Sequence, residues 1–173
     1  MKPLLTSLGL IAVLVTDSAR GTLGATIGLT PETVMTSVGQ TVSLNVTVSD
    51  IADLFAFQFD VLFDPSVLSA IAVAEGPFLA SGGFTFFDPG IIDNTFGSVS
   101  FVFNTLLGRA PGVSGRGILA TLSFRAIGLG VSPVDLSNVL LLDSTLADIP
   151  GGIGTLSISH CQGRSPRYSS TWR

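Results

Sequence analysis

Apolar and polar side chains alternate with a period of two along most of the chain from Ala25 to Ile158, in short runs broken by Gly, Pro, Asp and Asn. That is the signature of half-buried strands. In Thr41–Val48, the residues Val42, Leu44, Val46 and Val48 share one side, and Ser43, Asn45 and Thr47 the other. The next run is stronger still, with Phe55, Phe57, Phe59, Val61 and Phe63 opposite Ala56, Gln58, Asp60 and Leu62. Asp64-Pro65-Ser66 ends it. Further strands are predicted over Val67–Glu75, Phe84–Phe87, Ser98–Asn104 (Val99, Phe101 and Phe103 inward), Gly117–Ala126 (Ile118, Ala120, Leu122 and Phe124 inward), Ser132–Leu136, Val139–Leu142 and Gly154–Ile158. No long stretch keeps a 3.6-residue period, so any helix is a single turn, at Pro65–Leu68 or Pro77–Ser81. Short strands of this number and spacing predict an all-β fold, an antiparallel β-sandwich. All 12 Phe residues fall between Phe55 and Phe124. Each ring, if buried, contributes roughly 2 to 3 kcal/mol, which makes that stretch the centre of the core.

The 173 residues leave room for one domain, predicted to span 26–158. A composition of 46% hydrophobic and 12% charged residues excludes a disordered chain. Between Thr26 and Ile158, three basic side chains (Arg109, Arg116, Arg125) stand against eleven acidic ones, a formal charge of −8. Such a surface repels nucleic acid and anionic lipid. Met1-Lys2 followed by the apolar run Leu4–Val15 has the order of a secretory signal and is too short to span a bilayer. Residues 1–25 are therefore expected to be a signal peptide cleaved near residue 21 or 25, with the mature chain exported and free of a transmembrane span. The single cysteine, Cys161, permits no intrachain disulfide. From Ser159 to Arg173 alternation stops, and the chain's only His, Cys, Tyr and Trp appear there with three Arg. That segment reads as a disordered or out-of-frame tail.

The residues missing from the body limit its chemistry. Between Thr26 and Ile158 there is no His, Cys, Lys, Trp or Tyr, so neither a Ser-His-Asp arrangement nor a zinc site can be built. Gly115-Arg116-Gly117-Ile118-Leu119-Ala120 fits the letters of a dinucleotide fingerprint, but it opens a strand where the fingerprint requires a helix. Glu75, Asp88 and Asp93 are the plausible acid-base groups, and aspartates at such positions are more often turn formers. No catalytic residue and no cofactor are predicted. Asp143 and Asp148 in one loop, and Asp50 and Asp53 in another, are weak candidates for calcium ligands. Phe86 and Phe87 are consecutive on one strand and cannot both face the core, so an exposed aromatic patch is expected there.

The ordered series Val48-Ser49-Asp50, Asp53–Asp60, Phe63-Asp64-Pro65-Ser66-Val67-Leu68, Glu75-Gly76-Pro77-Phe78-Leu79, Gly90–Asn94, Gly112–Gly115, Gly117–Phe124 and Leu136–Val139 resembles bacterial cohesin domains. The likeness covers about Ile27 to Ile158. It implies a jelly-roll sandwich of about nine strands, related to a carbohydrate-binding superfamily, and a partner that is a calcium-carrying dockerin module. In that family the partner lies on one sheet face, which includes the strand before Asp-Pro and a late strand. Carried onto this sequence, the contacts are Ala56, Gln58 and Asp60 with Leu119, Thr121, Ser123 and Arg125. The expected function is thus a non-catalytic, extracellular or cell-surface binding module. Direct polysaccharide binding is the second reading, disfavoured by the missing Trp and Tyr, and a structural matrix role is the third.

Overall fold

In the computed structural model, which describes residues 24–149 and the main chain of 159–164, the alternating runs become ten strands and one helical turn. They are β1 (Thr26–Thr30), β2 (Thr33–Ser37), β3 (Thr41–Phe63), β4 (Leu68–Glu75), α1 (Pro77–Ala80), β5 (Thr85–Asp88), β6 (Ile91–Asp93), β7 (Ser98–Leu106), β8 (Val113–Ala126), β9 (Gly130–Asp143) and β10 (Ser159–Arg164). Pro77 opens the helix, where its missing N–H leaves no bond unmade.

The strands form two layers. The first half of β3 pairs with β1 and β8, and β8 with β4. The second half of β3 pairs with β9 and β7, and β7 carries β5 and β6 along its outer edge. β3 therefore crosses between sheets, and two aspartates in left-handed backbone, Asp50 (φ 54°) and Asp53 (φ 58°), make the corner. Aspartate tolerates that conformation better than most residues. The corner is pinned by the Asp53 carboxylate, which accepts bonds from the Gly112 amide (2.7 Å) and the Ser144 hydroxyl (2.6 Å). A side chain at Gly112 would collide with the Asp53 main chain, so only glycine fits there.

Between the layers lies one core. Phe57, Phe59, Val61 and Phe63 of β3 face Leu44 and Val46 from the same strand's first half, together with Leu122 and Phe124 of β8. The Phe63 and Phe124 rings meet edge to face across the layers at 5.2 Å, a favoured arrangement for aromatic pairs.

Alternation fails at two places that matter later. Opposite Asp60, β7 carries an extra residue, since Phe59 pairs with Val102 but Val61 pairs with Val99. The bulge turns Phe101 outward, 62% exposed and with φ 65°, and brings Val102 and Asn104 inward. The expected inward set Val99, Phe101, Phe103 is thereby corrected beyond its first member. A second bulge in β9, at Asn138 (φ 49°), joins the two runs expected over Ser132–Leu136 and Val139–Leu142.

The irregular tail expected from Ser159 is also corrected over its first six residues. Ser159–Arg164 pairs antiparallel with β9 and parallel with β2. A main-chain ladder needs no side-chain alternation, so the pairing left no trace in SHCQGR. The expected leader, up to residue 23, and the strand expected over Gly154–Ile158 lie outside the described residues.

Candidate functional site

The second sheet presents an outward face whose composition is set by strand register. One row across β5, β7, β3 and β9 reads Phe86, Thr105, Ala56, Leu142. The next reads Asp88, Phe103, Gln58, Leu140. Below them Asp60 lies opposite Ser137, and Leu62 opposite Ser98 and Asp135. Phe86 is 55% exposed, its ring centroid 6.4 Å from that of Phe103. Leu62, Phe101 and Leu140 are exposed as well. Apolar side chains exposed together in this way make the face a candidate interaction surface. The segments that build it, 54–63, 85–88, 98–106 and 130–143, contain no Lys or Arg.

The expected contact residues divide between the two sheets. Gln58 and Asp60 are on this face, half-buried. Ala56 points the same way but is 4% exposed, overgrown by its taller row neighbours. Thr121, Ser123 and Arg125 belong to β8, in the other sheet, where the Thr121 hydroxyl bonds Asn45 at 2.9 Å. Leu119 is 0% exposed, because a register shift in the β3–β8 pairing between Val46 and Thr47 turns it into the core. The late strand beside Gln58 is β9, which puts Leu140 and Leu142 on this face, with Phe103 and Thr105 of β7, four residues absent from the expected set. Leu140-Leu141-Leu142 did carry the signal, since three consecutive apolar residues of a strand cannot all face inward.

Asp60 is occupied by its own fold. One carboxylate oxygen accepts the Phe101 amide at 2.7 Å, at the β7 bulge, and the other accepts the Asn138 side-chain amide at 2.6 Å, at the β9 bulge. Of the aromatic pair, Phe86 is exposed, while Phe87 packs against the core.

The remaining carboxylates cap loops. Glu75 accepts bonds from the Thr85 hydroxyl and the buried Asn104 amide, Asp88 from the Gly90 amide, and Asp93 from the Thr95 and Phe96 amides. Asp143 accepts from the Thr145 hydroxyl, the Thr145 amide and the Ala147 amide. The Thr145 hydroxyl, followed by the Ala147 amide, holds the Asp143 carboxyl below the usual carboxylate range. The Ser144 hydroxyl and the Gly112 amide do the same for Asp53, and the Ser66 hydroxyl for Asp64. Asp50 and Asp148 are exposed. Among the described residues no cluster of three or more His, Cys, Asp or Glu is placed to hold a metal, and no helix is long and apolar enough to cross a membrane.

The family model described as "Cohesin domain" matches residues 27–155. The chain belongs to the cohesin family. No curated protein matches this cohesin. Among solved structures it is similar to the third cohesin of ScaC from Acetivibrio cellulolyticus, solved with the ScaB dockerin. That pair has a TM-score of 0.63 and 15% identity over 80% of this chain and 98% of that one. It is also similar to the second type II cohesin module of the ScaA adaptor scaffoldin of the same organism, with a TM-score of 0.64 and 15% identity, covering 83% and 97%. A non-cellulosomal cohesin from the archaeon Archaeoglobus fulgidus gives 0.62 and 14%, covering 82% and 92%. Likeness at this identity is likeness of fold, here the jelly-roll sandwich. Membership of the cohesin family, from the match over residues 27–155, makes the chain a non-catalytic binding module.

Proposed function

We propose that this cohesin is an exported module that captures a dockerin-type protein on the outer face of the β9-β3-β7-β5 sheet. One observation carries the proposal: the two register-aligned rows place Phe86 and Phe103 on one side of Ala56 and Gln58, and Leu140 and Leu142 on the other, all on the outside of the sheet. The partner class is supported by relatives of the same fold, the ScaC cohesin in complex with the ScaB dockerin and the sixth cohesin of scaffoldin B in complex with the Cel5 dockerin. Export rests on the Met1-Lys2 start and the apolar run Leu4–Val15. A role in polysaccharide breakdown or surface assembly follows from that partner class.

Affinity on such a face resides in a few central side chains, with the rim serving to exclude water. Calorimetric titration of recombinant dockerin modules from the genome that encodes this chain, in calcium buffer, is the direct test. At least one module is expected to bind, and Leu140→Asp is expected to weaken it by roughly 100-fold, the scale of a hot-spot loss. Thr121→Asp, on the opposite sheet, is expected to bind like wild type. Wild-type affinity in Leu140→Asp would show that the face is wrong. Retention on insoluble polysaccharide without dockerin binding would replace the dockerin by a sugar chain.

A further inference from the structure

Phe101, like Phe103, is a large side chain on this face that strict alternation from Val99 would have placed in the core, and it sits at the bulge itself. Three features keep it out. The β7 bulge sets two residues opposite Asp60. The residue itself adopts φ 65°, a region in which a bulky non-glycine residue is a genuine outlier. The Asp60 carboxylate then fixes the bulged amide at 2.7 Å, while its other oxygen ties the β9 bulge through Asn138 at 2.6 Å. Backbone in a sparsely populated region persists only where its surroundings over-determine it, and such positions cluster at binding sites. Here the reward is not packing, because the ring is 62% exposed.

We propose that Phe101 is a partner-anchoring residue of this cohesin and that Asp60 is a positioning residue, which contributes to binding by holding Phe101 on the surface. The inference rests on the dockerin reading and deepens it by stating what the partner must look like. Phe101 extends the apolar strip of Phe86 and Phe103 toward Leu62. The strip is flanked by Asp88 and Asp135 with no Lys or Arg in its strands. Its occupant is a protein surface of apolar side chains with a basic rim, drawn in by the −8 charge of the body.

The test uses the full mature chain and the dockerin module that binds it in the titration above. Phe101→Gly removes the ring at a φ that glycine adopts freely, so the melting temperature is expected to hold or rise. The affinity is expected to fall at least about tenfold. Asp60→Ala is expected to weaken binding in the wild-type background but to add nothing to Phe101→Gly, a non-additivity that a merely stabilising Asp60 would not produce. Raising the salt concentration is expected to weaken association. Unchanged affinity in Phe101→Gly, or additive losses from Asp60→Ala, overturns the assignment while leaving the dockerin reading intact, and salt-independent binding removes the basic rim. If no module binds wild type, the dockerin reading fails and the anchor falls with it. A concentration-dependent dimer abolished by Phe101→Gly would give the strip to a second copy of the chain.

Discussion

Removing the ring of Phe124 tests the sandwich where its two sheets meet. Phe124 sits on β8 in the first layer, 0% exposed, with its ring 5.2 Å from Phe63 of the second layer at an interplanar angle of 69°. Truncating a fully buried Phe to Ala costs about 3 to 5 kcal/mol through lost transfer energy and the cavity left behind. Of that, about 0.5 to 1.5 kcal/mol belongs to the edge-to-face pair. Against a total stability of about 5 to 15 kcal/mol for a domain, Phe124→Ala should leave a folded but fragile protein. With a urea m-value of about 1 to 3 kcal/mol/M, the midpoint should fall by 1 M or more. A double-mutant cycle with Phe63→Leu should return a coupling of about 0.5 to 1.5 kcal/mol. Phe101→Ala is the internal control, since it deletes the same ring from the outer face and should change stability by no more than about 0.5 kcal/mol. Additive losses at Phe63 and Phe124, or a larger loss at Phe101 than at Phe124, would refute the layer assignment.

Acid should destabilise the fold through the loop carboxylates. Asp53, Asp64 and Asp143 titrate below their ordinary values because hydroxyl and amide groups bond their charged forms. Their contribution is complete above the unfolded value of about 3.9 and is lost as pH falls through the lower folded values. Urea melts should therefore show stability falling steeply below about pH 4, and Asp143→Asn should flatten that fall; equal slopes in the two proteins would count against the bonding described. The second test concerns calcium. Both oxygens of Asp53 and Oδ1 of Asp143 are already engaged, and among the described residues no third carboxylate joins them, so millimolar calcium or a chelator should leave the melting temperature of the isolated module unchanged. A rise with calcium would require a site on the native state.

Much of this architecture was legible as pattern. Val42, Leu44, Val46 and Val48, and likewise Phe57, Phe59, Val61 and Phe63, were read as inward-facing and are buried, because burial of one strand face imposes a period of two. The turn of helix at Pro77 was visible for the same kind of local reason. The misreadings begin where a neighbouring strand intervenes. The bulges at Phe101 and Asn138 are set by Asp60 from across the sheet, and nothing within SVSFVFNTL marks where the phase slips. Leu119 was misplaced by the same physics, since one shifted residue in β8 exchanges inside for outside. The short β1, β2 and β6 were not picked out, because three to five residues hold too few alternations to stand above their surroundings. The division of the expected contact set between two sheets is a matter of topology. Which late strand lies beside β3 depends on crossovers between sheets, and a single sequence does not display them.

The corner at Asp50–Asp53 has a consequence for how the molecule comes apart. Because β3 belongs to both layers, the hydrogen bonds of one sheet cannot be lost wholesale without freeing the strand that templates the other. Two stacked sheets with separate strands could open one at a time. Here the amides of β8 in the first layer and of β9 in the second should exchange with solvent through the same global opening, with equal free energies and a common dependence on denaturant. The corner should thus make the sandwich a single cooperative unit, in which the outer face of the second sheet keeps its geometry until the whole fold opens.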